Sequence, residues 1–324
     1  MKVVWAILAS AALCYPAAAA IQSEAENYPN RPVRLIAASP GTGGDLLARY
    51  LAQRLAERWG KQVVVDNRSG AGGLVATEIA AKTAPDGYTL HLGQLSSHAT
   101  APSLYSRLSY DPVKDFAPIT LYAQVPLIFI AHPSVPAASL RELVALAKQR
   151  PGALNYSSGG PGTSGHLGIE LLNHTVGIKL THVPYKGVGV ATGAVMSGEV
   201  QLAAIPVLIA APQVKAGKVK AYAITSTARF SGTPDVPTTA EAGMPDVVAS
   251  TWFGMFVPAR TPPALVARLN RDILEVLRTP AAEAWMLSQG AIPSTGTPQE
   301  FAAFIRSEIT KWKKVIEVSG AKVD

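Results

Sequence analysis

Two glycine-rich segments, at corresponding places in the two halves of the 324-residue chain, constrain its fold most strongly. They read Ser39-Pro40-Gly41-Thr42-Gly43-Gly44-Asp45 and Ser157-Ser158-Gly159-Gly160-Pro161-Gly162-Thr163-Ser164. Each follows a short apolar run and precedes a helical pattern, so each predicts a turn that joins a strand to a helix. Such a turn directs free backbone N–H groups and the positive end of a helix dipole at one point, which favours a small anion there.

Either loop alone could be an ordinary strand-to-helix connection, and that alternative stays open for each. Two loops at matching positions favour an anion held between them. A nucleotide motif is excluded, because Leu46 stands where a dinucleotide fingerprint needs its third glycine. Neither loop ends in the Gly-Lys-Ser/Thr sequence of a phosphate-binding loop.

Residues 1–20 have the features of a secretory signal: Lys2, an apolar stretch, and the small residues Ala18-Ala19-Ala20 at the cleavage site. The apolar stretch is too short to span a bilayer, which disfavours the alternative of a membrane anchor. The single cysteine, Cys14, lies in this segment and follows a leucine, a poor fit for lipid attachment. We expect a cleaved signal peptide and a free periplasmic protein without disulfides.

The charge balance favours small anions over nucleic acid. The formal charge of +7 falls to +6 without Lys2 (28 basic residues against 22 acidic ones). This is typical of a mildly basic soluble protein, or of a protein with a weak attraction for anions. The basic residues are scattered and form no stripe with interleaved aromatic residues, so no nucleic-acid partner is expected.

From Val33 onward, short apolar strands alternate with helical patterns, which predicts a doubly wound α/β fold with parallel strands. Because about 300 mature residues exceed one ordinary core, two lobes are expected. The apolar runs near 121–131 and 249–257 read as crossings between them. Lobe one would comprise 28–123 plus 249–324, and lobe two 124–248, with a hinge and a ligand cleft between the lobes.

An enzyme of a different class is the main alternative: a periplasmic serine hydrolase using Ser158 and His166. It is disfavoured because the chain has no nucleophile-elbow motif and no carboxylate placed to orient a histidine. No metal and no cofactor are expected, since no cysteine survives cleavage and no His/Asp/Glu pair has ligand spacing near another. Asp45, in the first turn of its helix, either supports the loop or receives a ligand donor.

Short motifs carry a resemblance to a known family. They are Tyr28-Pro29-x-Arg31-Pro32, Asp66-Asn67-Arg68-x-Gly70-Ala71-Gly72-Gly73, Ala84-Pro85-Asp86-Gly87-Tyr88-Thr89, His182-Val183-Pro184-Tyr185-Lys186-Gly187 and Trp252-Phe253-Gly254. In their order and spacing the whole chain resembles the substrate-binding proteins of tripartite tricarboxylate transporters, the Bug receptors. The resemblance implies a type II periplasmic-binding-protein fold, an α/β fold whose lobes close on a small organic carboxylate.

The resemblance further implies an exported monomeric receptor, not an enzyme, that delivers its solute to the membrane permease subunits of such a transporter or to a sensor. In the family, backbone groups and ordered waters of the two loops hold the ligand carboxylate. Carried over to this chain, the candidate ligand-binding residues are Ser39, Pro40, Gly41, Thr42, Gly43, Gly44, Asp45, Ser96, Ser158, Gly160, Gly162, Thr163, Ser164, Ala204 and Ile205.

Two departures from the family pattern bear on the ligand. Ala37-Ala38-Ser39 stands where the family usually has Pro-Phe before its glycines, and Ala204-Ile205 stands where many members have Phe-Asp. An ammonium group in the ligand would then lack an acceptor, and an unpaired buried charge is costly. We therefore expect a carboxylate with an apolar or aromatic body, or a dicarboxylate without an amino group.

Overall fold

The computed structural model describes residues 27–323. The expected signal peptide at 1–20, with Cys14, lies outside the described residues. Within 27–323, no helix has both the length and the apolar character needed to cross a membrane.

The strands of the described chain run in the order β1 to β10. They are β1 (Val33–Ala37), β2 (Val63–Asn67), β3 (Thr89–Gln94), β4 (Phe116–Ala131), β5 (Asn155–Ser158), β6 (Thr181–Pro184), β7 (Leu202–Pro206), β8 (Lys220–Ile224), β9 (Ser250–Pro258) and β10 (Ile292–Pro293).

The helices alternate with these strands, apart from the last three. They are α1 (Gly43–Trp59), α2 (Leu74–Ala81), α3 (Ala101–Leu104), α4 (Leu140–Gln149), α5 (Ser164–Val176), α6 (Val188–Ser197), α7 (Val207–Lys215), α8 (Pro263–Leu277), α9 (Pro280–Ser288) and α10 (Pro298–Ser319). The buried face of α1 contains Leu47, Leu51 and Leu55, which recur at helical spacing.

The long strand β4 belongs to two similarly ordered sheets. Sheet one has the order β2-β1-β3-β9-β4, and sheet two has the order β6-β5-β7-β4-β8. In sheet one, β1 lies parallel between β2 and β3, while β9 is antiparallel to both β3 and β4. In sheet two, β5 lies parallel between β6 and β7, and β4 is antiparallel to β7 and β8. The two glycine-rich loops thus follow equivalent strands, β1 and β5.

The C-terminal helix α10 packs against both halves of the chain. It contacts β4, α3 and α5. The buried Glu308 carboxylate on α10 accepts hydrogen bonds from the indole N–H of Trp252 in β9 (3.1 Å) and of Trp312 (2.8 Å). Trp312 lies on α10 itself, whereas the bond from Trp252 joins the helix to β9 and helps to hold this strand in place.

The structure confirms the predicted alternation of strands and helices, and a Thr297–Glu300 capping box begins α10. It also contains three helices that the sequence pattern did not predict, α3, α7 and α9. Pro102 lies in the four-residue helix α3, Pro212 lies inside α7, and Pro280 begins the short helix α9. Proline disfavours a helix interior, so these segments carried a weak helical signal.

Candidate functional site

The two glycine-rich loops line one cavity of about 820 Å³. Of the candidate residues, those that line it are Ser39, Gly41, Thr42, Gly43, Gly44, Asp45, Thr163, Ser164, Ala204 and Ile205. The fold therefore brings together two segments separated by more than a hundred residues, since both follow the carboxyl ends of equivalent strands.

The first turn of α1 presents two free backbone donors. Thr42 caps the helix: its Oγ1 accepts the N–H of Asp45 at 3.3 Å, and its carbonyl accepts the N–H of Leu46 at 3.0 Å. The N–H groups of Gly43 and Gly44 have no acceptor within residues 27–323. They are directed out of the helix N-terminus, where the dipole also favours negative charge.

The carboxylate of Asp45 accepts three hydrogen bonds from its surroundings. It accepts the N–H of Gly41 (2.9 Å), Nε of Arg49 (3.1 Å) and Nδ2 of Asn67 (3.0 Å). Burial raises the pKa of Asp45, but these hydrogen bonds and the Arg49 charge outweigh burial and bring the pKa below its ordinary value. Asp45 thus shapes the loop and neutralises Arg49, and both of its carboxylate oxygens already accept hydrogen bonds from the protein.

The first turn of α5 repeats this arrangement in the second half of the chain. The N–H of Gly162 donates to Nδ1 of His166 (3.0 Å), and the N–H of Leu167 donates to the carbonyl of Thr163 (3.0 Å). The N–H groups of Ser164 and Gly165 have no acceptor among the described residues. The Ser164 hydroxyl accepts a hydrogen bond from the Thr251 hydroxyl of β9 at 2.6 Å.

Five candidate residues do not line the cavity: Pro40, Ser96, Ser158, Gly160 and Gly162. Two of them support neighbouring backbone instead: Ser96 supports the turn at Gly72, and Ser158 supports the second loop. The Ser96 hydroxyl donates to the carbonyl of Gly72 at 2.6 Å. The Ser158 hydroxyl accepts the N–H of Gly160 at 3.1 Å and shares a hydrogen bond of 2.7 Å with Nε2 of His182.

The pairing of Ser158 with His166 in the hydrolase alternative is wrong. Ser158 is only 1% exposed, and its partner is His182, which the parallel pairing of β5 with β6 brings beside it. His166 instead stacks on His182, with ring centroids 4.1 Å apart, and its Nδ1 is occupied by Gly162. A buried hydroxyl without access to the cavity cannot attack a substrate there.

Sequence reasoning missed most of the cavity's apolar wall and four of its polar or charged residues. The wall includes Leu46, Leu47, Val125, Val188, Leu208, Ile209 and Phe253, and the polar or charged residues are Arg49, Gln94, Thr251 and Gln289. Gln94 ends β3, the parallel neighbour of β1, so the rule that ligands bind at the carboxyl ends of such strands could have found it. Leu208 and Ile209 lie on α7, and because this helix was not predicted, neither residue could be assigned to the cavity.

Phe253 forms part of the cavity floor beneath the first loop. A Cβ atom on Gly44 would lie 2.8 Å from Cε1 of this ring, so only glycine lets the helix start so close to β9. Among the described residues that line the cavity, Arg49 is the one cation and Asp45 the one anion, and they pair with each other at 3.0 Å. The cavity therefore offers uncharged donors and apolar surface.

Burial keeps the two histidines behind the second loop neutral. It lowers the pKa of His182 to about 4, and burial together with the nearby His182 lowers the pKa of His166 to about 3. Burial also lowers the pKa of His91, in the core of the first half, to about 4.

Comparisons with known proteins agree on one family. The model of the tripartite tricarboxylate transporter family receptor matches residues 47–321. The chain is 36% identical to protein BugT of Bordetella pertussis, an alignment that covers 100% of this chain and 98% of that protein.

Solved structures give the same result. The R. palustris protein Rpa4515 with adipate is 34% identical at a TM-score of 0.81, over 91% of this chain and 99% of that one. MatC from Rhodopseudomonas palustris with bound malate is 32% identical at a TM-score of 0.76, over 89% of this chain and 100% of that one.

The buried histidines predict a loss of stability in mild acid. Unfolded histidines bind protons at their ordinary pKa of 6.5, whereas His91 and His182 stay neutral in the folded chain down to about pH 4. The unfolded state thus binds more protons in this window, so the free energy of unfolding falls as pH is lowered, by about 1–3 kcal/mol for each such histidine.

Urea unfolding between pH 7 and pH 4 measures how the free energy of unfolding changes with pH. His182→Gln should make this free energy fall less as the pH is lowered, whereas the exposed control His174→Ala should behave like the wild type. A stability that does not change between pH 6.5 and pH 4.5 would contradict the account.

Proposed function

The chain belongs to the tripartite tricarboxylate transporter receptor family, a family of periplasmic solute-binding proteins and not of enzymes, and we propose that it holds an organic acid between its two glycine-rich loops. The observation that carries this proposal is the pair of helix N-termini at one cavity. Gly43 and Gly44 offer free N–H groups on one side, and Ser164 and Gly165 offer them on the other. Uncharged donors and helix dipoles bind a carboxylate without burying an arginine or lysine charge.

The ligand is a carboxylate without an amino group. Asp45 is already paired with Arg49 and accepts three hydrogen bonds, and Ile205 occupies the position where many members have aspartate. Among the described residues that line the cavity, no unpaired carboxylate is therefore available to an ammonium group. The apolar wall suits an aliphatic or aromatic body. The two similar structures hold adipate and malate, both dicarboxylates without an amino group, which supports this ligand class.

Capture proceeds by closure of two lobes on the acid. We assign 28–123 plus 249–324 to lobe one and 124–248 to lobe two, with β4 and β9 as the connecting strands at the hinge. The hydrogen bond between Thr251 and Ser164 lies at this junction and lines the cavity, so it supports a hinge beside the bound acid. The receptor, exported as a monomer after loss of residues 1–20, then delivers the acid to the membrane permease subunits of a tripartite transporter or to a sensor.

A panel of acids tests the ligand class. Adipate, succinate and benzoate should raise the melting temperature of the purified chain more than aspartate and glutamate do, because only the amino acids bring an ammonium that finds no acceptor. The measurement is a thermal-shift titration at matched ionic strength. Greatest stabilisation by an amino acid would show that the inference from Ile205 and Asp45 is wrong.

Removing one backbone N–H group tests whether such groups bind the carboxylate. Ser164 is the first residue of α5, a position that favours proline, and the preceding Thr163 has the extended backbone (ψ 158°) that proline requires. Ser164→Pro should weaken adipate binding roughly ten- to hundredfold, as expected for loss of a hydrogen bond to a charged group, while the helix remains intact.

Ser164→Ala is the matched control, since it also lacks the hydroxyl that accepts from Thr251 but keeps the N–H group. Calorimetry should show the proline variant binding far more weakly than the alanine variant at similar melting temperatures. Equal affinities of the two variants would exclude the N–H of Ser164 as a ligand donor.

A further inference from the structure

Both glycine-rich loops are closed by the same hydrogen bond between residues i and i+4. In the first loop the N–H of Gly41 donates to Oδ2 of Asp45 at 2.9 Å, and in the second the N–H of Gly162 donates to Nδ1 of His166 at 3.0 Å. Gly41 and Gly162 have the same left-handed backbone, with φ of 71° and 73°. The two halves of the chain thus use one geometry with two different acceptors.

The two acceptor atoms occupy equivalent places on their side chains. Nδ1 of histidine and Oδ of aspartate are each bonded to Cγ, so both reach the glycine N–H four residues earlier. A backbone N–H can only donate, which requires Nδ1 of His166 to be unprotonated and places the imidazole proton on Nε2. His166 therefore supplies an acceptor without adding a negative charge beside a site for an anion.

The surroundings of His166 lock its orientation. The ring is 5% exposed and stacks on His182, which in turn stacks on Tyr156 with ring centroids 4.9 Å apart. His182 also shares its hydrogen bond with Ser158, the residue that precedes the loop. The loop is therefore held at both ends by neutral imidazoles.

His166 does not touch the cavity in which the acid is held. Ser164 and Gly165 line that cavity, whereas His166 faces a separate cavity of about 620 Å³ behind the same turn of α5. Without its acceptor, the buried N–H of Gly162 would be unpaired, and the loop would move to satisfy it. Such a movement would turn the first N–H groups of α5 away from the acid.

We propose that His166 is a positioning residue for acid capture: its imidazole, by accepting the N–H of Gly162, holds the second loop so that the N–H groups of Ser164 and Gly165 face the cavity. The proposal rests on the proposed function of that cavity. It assigns to His166 in the second half the role that Asp45 has in the first.

Three variants distinguish the effect of losing the Gly162–His166 hydrogen bond from the effect of altered packing and from the effect of removing any imidazole from α5. His166→Leu keeps an apolar side chain against His182 but has no acceptor. His166→Asn restores one, because Asp45, with the same side-chain skeleton, makes this bond in the first loop. His174→Leu removes an exposed imidazole from the same helix and serves as the control.

Two measurements are made on each variant. Hydrogen exchange of the Gly162 amide, followed by NMR without ligand, reports the bond itself, and calorimetric titration with adipate reports capture. Exchange should be slow in the wild type, His166→Asn and His174→Leu, and fast in His166→Leu. Adipate affinity should fall roughly tenfold or more in His166→Leu and should remain within about threefold of the wild type in His166→Asn.

Slow Gly162 exchange in His166→Leu would overturn the proposal, and so would an unchanged adipate affinity in that variant. A loss of affinity in His166→Asn equal to that in His166→Leu would also overturn it, since a purely packing role predicts no rescue. If the wild type bound none of the acids in the panel, the proposed function would fail, and the exchange data would still decide whether His166 holds the loop.

Discussion

The proposed site is built on unpaired backbone N–H groups at the first turns of α1 and α5, in residues that line one cavity. Free donors at a helix N-terminus need a partner, and an anion between two such termini satisfies both at once. The central strands β1 and β5 bring the termini together, because both helices start at the carboxyl ends of these strands. The apolar wall lowers the local dielectric, so the partial charges of the N–H groups act more strongly than they would in water.

The charges near the cavity are arranged so that none is left unpaired. Arg49 is neutralised by Asp45, and the imidazoles of His166 and His182 stay neutral because burial lowers their pKa. In the proposed site an anion therefore meets N–H donors, whereas an ammonium group meets no unpaired carboxylate among the described residues that line the cavity. The proposed preference for acids without an amino group follows from the pairing of Asp45 with Arg49, and it requires no dedicated cationic side chain.

The sequence predicts those parts of the site that depend on local patterns. The glycine-rich loops, the start of α5 at Ser164 and the capping box of α10 all follow from residues within a few positions of each other. Contacts between distant segments could not be read in this way. Asn67, the last residue of β2, donates to Asp45, and β6 places His182 beside Ser158. The hydrogen bonding of Asp45 and Ser158 therefore depends on the packed sheets. Prolines in α7 and α9 weakened the helical signal of these segments. Because α7 was not predicted, Leu208 and Ile209 were not predicted to line the cavity.

A crystal structure of the chain grown with the acid that raises its melting temperature most is the most direct test of the central claim. The account predicts a carboxylate in the 820 Å³ cavity, with its oxygens within hydrogen-bonding distance of the N–H groups at the starts of α1 and α5, directly or through one ordered water. Arg49 should remain paired with Asp45. A carboxylate bound to the Arg49 guanidinium, or an acid seated outside this cavity, would contradict the account.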